Sequence, residues 1–173
     1  FGLVEAVIAL AVLVYLRLDV DRITSKFALL VAAIALGVLL ALFGQTYQTG
    51  ADPWELFFNW ALLILPWVVI ARFAALWLLW LALLNLALVL YYTALGRLWW
   101  WSIDNQSTLL WLLFGFNLLA HIGWEVGATR WKWLNARWAV RVIATAAGSL
   151  ITFMAVLAVV EESRHGATDI LVW

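Results

Sequence analysis

The sequence predicts an all-α protein, a polytopic transmembrane helical bundle. Three observations carry that prediction. Hydrophobic residues make up 68% of the chain and charged residues only 12%, the mean hydropathy is +1.03, and the apolar residues gather in continuous runs about as long as a membrane-crossing helix. Runs of that length argue for helices over barrel strands, because a helix satisfies its own backbone in lipid. Ten basic residues balance ten acidic ones, so the net charge gives no reason to expect nucleic acid as a partner. The chain has no Cys, which removes disulfides, thiolate metal sites and cysteine nucleophiles.

Six spans are expected in a single transmembrane domain, 1–173, at about 1–16, 27–43, 55–71, 73–92, 108–124 and 138–160. The first opens on Phe1 without a basic n-region, so it does not read as a secretory signal. The chain is expected to be a fragment, with another helix beginning in Asp169–Trp173. After the second span comes the longest polar run, Gly44-Gln45-Thr46-Tyr47-Gln48-Thr49-Gly50-Ala51-Asp52-Pro53-Trp54. It reads as an ordered extramembrane connection that ends in a helix start, with Asp52 as N-cap, Pro53 at the first helical position and Glu55 as the capping-box acid. The third and fourth spans as one helix would reach about 57 Å, far beyond a hydrocarbon core of about 30 Å. A turn is therefore expected at Arg72, and Pro66 is expected to kink the third span.

Charge placement orients the bundle. With the Arg17/Arg22/Lys26 connection in the cytoplasm, Arg72 and the group Arg130, Lys132, Arg137 and Arg141 fall there too, eight of the ten basic residues. The Gln45–Trp54 loop and the Trp99–Ser107 loop then face outward, into the periplasm of a bacterial inner-membrane protein. Trp99-Trp100-Trp101 at the outer boundary, and Trp124, Trp131, Trp133 and Trp138 at the inner one, read as interface anchors. Arg130, Lys132, Arg137 and Arg141 read as contacts to acidic lipid.

The run from Gly44 to Trp54, followed by Trp60-Ala61-Leu62-Leu63, Leu65-Pro66-Trp67, Trp77-Leu78-Leu79-Trp80 and Leu83-Leu84-Asn85-Leu86, is similar to a bacterial predicted membrane protein family catalogued only as a domain of unknown function. Phe116-Asn117-Leu118-Leu119, Trp124-Glu125 and Arg137-Trp138 with Arg141 extend the resemblance, which covers about Leu36 to Glu161. It implies a cytoplasmic N-terminal portion and further spans. It also implies an association, by gene neighbourhood, with a second membrane protein family named after a Gly-Asp-Tyr-x-x-Leu-x-Tyr motif. It supplies no catalytic residues.

Two groups of residues are candidates for function. Asn117, His121 and Glu125, at i, i+4 and i+8, form a polar stripe on the fifth span, and Thr145, Ser149 and Thr152 form another on the sixth. The two stripes are expected to face each other as helix-packing glue or, in the alternative, as a proton or solute pathway. Gln45, Tyr47, Gln48, Asp52 and Trp54 offer an outer-loop contact. Asn59 and Asn85 are expected to bond to neighbouring helices, and Glu5 to lie at an interface. His121/Glu125 and Glu161/His165 are two-ligand pairs on opposite sides of the membrane, so no metal or other cofactor is expected.

The function expected is that of a noncatalytic subunit or interaction module of a membrane assembly, contacting lipid and a second membrane protein. The alternative is a small-solute or proton-coupled transporter working through the fifth-span stripe. No nucleophile system or phosphate-binding loop is legible, so no enzyme is expected.

Overall fold

The computed structural model describes residues 1–19, 22–47, 50, 52–98 and 105–170, with side chains for those up to 94 and for 108–156. The order of elements is α1 Gly2–Arg17, α2 Ile23–Tyr47, α3 Pro53–Ala71, α4 Ala74–Leu98, α5 Asn105–Arg130, a 3-10 turn at Lys132–Leu134, and α6 Arg137–Ile170. There is no strand among the described residues. The chain is a multi-pass membrane protein: α2 to α6 each contain a stretch long and apolar enough to cross a bilayer. The first helix, Gly2–Arg17, has 16 residues and a length of about 24 Å. The helices gather into two compact units, Phe1–Trp100 and Trp101–Trp173.

In the first unit α1 packs on α2, α2 on α3 and α3 on α4. Small residues let these helices approach closely. Ala28 and Ala32 of α2 are buried with Ala11 of α1, while Leu29 and Ala33, one position further round, join Ala61, Ile64, Val68, Ala71, Leu76 and Leu83 of α3 and α4. Gly37 continues that second stripe, and a Cβ there would fall inside the Trp60 indole. Because a side chain leans back over the preceding turn of its helix, the glycine leaves the Ala33 carbonyl open, and the Trp60 indole N–H donates to it at 2.8 Å. Trp80 ties α4 to α3 in the same way, donating to the Ala61 carbonyl at 3.1 Å.

The end of α2 departs from expectation. Gly44, Gln45, Thr46 and Tyr47 belong to the helix, so the connection to α3 is shorter than the polar run suggested. Polarity marks where a helix leaves lipid, not where it stops. Two local contacts hold the extra turn: Thr46 Oγ1 donates to the Leu42 carbonyl at 2.8 Å, and the Phe43 and Tyr47 rings meet at 4.6 Å in an i, i+4 pair. Helix α3 begins at Pro53 with Asp52 as N-cap, but the Asp52 side chain makes no capping bond. Its backbone carbonyl accepts from Glu55 N–H at 3.0 Å. Pro66 lies inside α3 without ending it. The turn falls at Arg72, which caps α3 in the left-handed region with φ 46° and ψ 44°, a conformation that usually favours glycine.

In the second unit α5 packs on α6 through Leu113, Asn117 and Trp124 on one side and Ala139, Ile143 and Ala147 on the other, all buried. The turn between them closes on itself. Trp124 donates its indole N–H to the Leu134 carbonyl at 2.9 Å, and a Cβ on Gly127 would come within 2.6 Å of Leu134 Cδ1. Trp124 is thus no interface anchor: it is only 7% exposed, and its N–H finds an acceptor inside the turn instead of at the headgroups. Trp131 and Trp138 do stand exposed, as an anchor should.

Candidate functional site

The fifth-helix stripe fans out instead of forming a line. Residues four apart on an α-helix advance by about 40° around the axis at each step, so a run at i, i+4, i+8 drifts off any one face. Asn117 is buried at 4% exposure, His121 is half-buried and Glu125 is exposed. The Asn117 amide donates to the Leu113 carbonyl at 2.8 Å, a bond within its own helix. Nδ1 of His121 is buried and meets no hydrogen-bond partner among the described residues.

The sixth-helix stripe is on the wrong side for the expected pairing. Thr145, Ser149 and Thr152 are exposed, on the face of α6 roughly opposite the buried Ala139, Ile143 and Ala147. Their hydroxyls are satisfied locally: Thr145 donates to Arg141 and Val142 carbonyls at 2.9 Å, Ser149 to Ala146 at 2.8 Å and Thr152 to Gly148 at 2.8 Å. Hydroxyls in helices commonly bond back in this way, so they leave no donor that must seek α5. The compact Ala139/Ile143/Ala147 stripe allows the closer approach and takes the interface. Asn85 also bonds within its own helix, to the Leu81 carbonyl at 2.8 Å, while Asn59 and Glu5 are exposed.

A groove of about 670 Å³ opens where α2 ends and α3 begins. Leu40, Ala41, Phe43 and Leu56 form its apolar lining, and Gln45, Asp52, Glu55 and Asn59 supply its polar groups. Tyr47 is exposed beside it at 63%. Trp54 turns away from the groove's surroundings to pack on Tyr91 of α4, with ring centroids 5.1 Å apart. It therefore braces α3 against α4. Gln48 lies outside the described residues, as do the Trp99–Trp101 anchors and the side chains of Glu161 and His165.

The other end of the first unit is basic. The Phe27 and Phe73 rings meet at 5.4 Å, which brings the start of α2, with Arg22 and Lys26 beside it, to the same end as Arg72. In the second unit, Arg130, Lys132, Arg137 and Arg141 are all exposed. Of these, Arg137 and Arg141 line a cleft of about 340 Å³ together with Glu125, Leu134, Asn135 and Val140. Sequence reasoning grouped the four cations but missed this cleft, which depends on how the 3-10 turn folds under Trp124. Among the described residues no group of three His, Asp or Glu side chains is placed to hold a metal ion.

Residues 1–77 match a family described as "Predicted membrane protein (DUF2157)". The matched stretch contains the Gly44–Trp54 run and the Trp60 to Trp67 segment; the similarities at Phe116–Leu119, Trp124–Glu125 and Arg137–Arg141 lie outside it. No curated protein and no solved structure matches the chain.

Proposed function

We propose that this multi-pass membrane protein, whose first 77 residues match a predicted membrane protein family, works as a noncatalytic subunit or interaction module of a bacterial inner-membrane assembly. The observation that supports this reading is the groove between the ends of α2 and α3. Its apolar floor and the polar side chains of Gln45, Asp52, Glu55 and Asn59 suit an extramembrane segment of a second membrane protein, and among the described residues none of those four side chains has a hydrogen-bond or ion-pair partner. The groove faces the periplasm, opposite the end that carries Arg22, Lys26 and Arg72, in keeping with the tendency of basic residues to stay inside. Neither nucleic acid nor a catalytic cofactor has a role in it.

A photo-crosslinking residue at Gln45, introduced into the full-length protein in its own membrane, should capture one defined membrane protein. Asp52→Ala with Asn59→Ala should abolish that adduct while leaving insertion intact. Adducts to lipid alone, unchanged by the double substitution, would contradict the proposal.

A second reading, proton-coupled or small-solute transport, draws on His121. A buried ring nitrogen with no partner among the described residues is a group that a proton or solute can engage. Transport predicts that His121→Asn removes flux in proteoliposomes while the protein stays folded. A module predicts no change.

A further inference from the structure

We propose that the cleft at the α5–α6 turn binds the headgroup of an anionic phospholipid that carries free hydroxyls, phosphatidylglycerol being the simplest. The inference is independent of the partner groove, which belongs to α2 and α3.

Arg137 and Arg141 stand one helical turn apart, on one side of α6, and both line the cleft. Neither has a carboxylate partner: the one ion pair among the described residues joins Arg22 to Asp19 at 3.7 Å. Two guanidinium groups without a counterion, opening on a shared space of about 340 Å³, match the spread oxygens of a phosphodiester.

The level is right for lipid. The apolar stretch of α5 ends at Arg130 and that of α6 begins at Arg137, so the turn between them lies at the membrane boundary, where phosphates are. Exposed Trp131 and Trp138 sit at the same level, and the helix surface below the cleft is apolar and open, with Leu118 38% and Ile151 42% exposed. A headgroup in the cleft would lay its acyl chains along that surface. A free phosphate would leave it unused.

Glu125 narrows the choice. It lines the same cleft yet pairs with neither arginine. A second negative charge on the phosphate would meet this carboxylate and be repelled, which disfavours phosphatidic acid. A glycerol headgroup instead donates its hydroxyls to the Glu125 carboxylate, and the Asn135 side chain offers both a donor and an acceptor.

The test uses the purified full chain in phosphatidylcholine nanodiscs, with retained lipid counted by native mass spectrometry as phosphatidylglycerol is titrated in. One phosphatidylglycerol should stay bound per chain. Arg137→Gln with Arg141→Gln should weaken retention about 30-fold, the joint effect of two basic residues near an anionic surface. Arg130→Gln with Lys132→Gln, outside the cleft, should change it less than about fivefold, the effect of one such residue near an anionic surface. Glu125→Gln should narrow the preference over phosphatidic acid.

Equal losses from the two double variants would overturn the proposal in favour of diffuse surface charge. So would equal retention of phosphatidylcholine, or displacement by inorganic phosphate at concentrations that leave bulk lipid in place. If the Arg137/Arg141 variant fails to fold, Arg141→Lys carries the test. It keeps the charge but loses the two-pronged geometry, and retention equal to the unaltered chain would contradict the site.

Discussion

At the scale of single residues, Gly37 and Trp60 make a lock that neither makes alone. The glycine leaves the Ala33 carbonyl uncovered, and the indole occupies the space while donating to that carbonyl. Gly37→Val should drive the indole out and cost about 2–4 kcal/mol, combining an overpacked contact with a lost hydrogen bond. Trp60→Phe removes the bond but keeps most of the packing, so it should cost about 0.6 kcal/mol, the usual worth of such a bond in a membrane. Reversible unfolding in mixed micelles, monitored by circular dichroism, measures both, and equal costs would contradict the lock. The pairing was not legible in the sequence. Gly37 reads there as one small residue in an apolar run, and Trp60 as one of many tryptophans. What joins them is the approach of α2 to α3 across a connection whose geometry no local pattern encodes.

At the scale of the helix, composition was a good guide to where lipid begins and a poor one to where a helix ends. The spans expected at 27–43, 108–124 and 138–160 lie inside the longer helices α2, α5 and α6, because polar residues beyond the hydrocarbon continue a helix readily once water or a side chain satisfies its last carbonyls. The start of α3 was legible because Asp52-Pro53 constrains the backbone chemically. Polar stripes misled for a different reason. Spacing by four suggests a face, yet Asn117, His121 and Glu125 pass from buried to exposed, and the hydroxyls of α6 satisfy themselves on their own helix. The α5–α6 interface rests instead on Ala139, Ile143 and Ala147. Ile143→Ala should therefore cost about 2–4 kcal/mol as a buried truncation, whereas Thr145→Val or Ser149→Ala should stay within about 0.5 kcal/mol. Disulfide scanning gives an independent check: cysteines at Ala139, Ile143 or Ala147 should crosslink to partners on α5, and cysteines at Thr145 or Ser149 should not.

At the scale of the whole molecule, each unit keeps its polar groups largely at helix ends and its apolar surface along helix sides. In the first unit, basic residues cluster at the end marked by the Phe27–Phe73 contact, and the α2–α3 groove opens at the end marked by Trp54 and Tyr91. The charge asymmetry was readable from sequence because it depends only on the order of spans and connections. The groove was not, since it exists only once α2 runs on to Tyr47 and α3 starts at Pro53. The proposed role as a module of a membrane assembly is tested most directly by native mass spectrometry of the full-length protein, released from its own membrane together with the surrounding lipid. A second membrane protein at fixed stoichiometry, lost when Asp52 and Asn59 are replaced by Ala, is the predicted result. A lone protein carrying a small-molecule adduct that disappears with His121→Asn would contradict the module and establish the fifth helix as the working part.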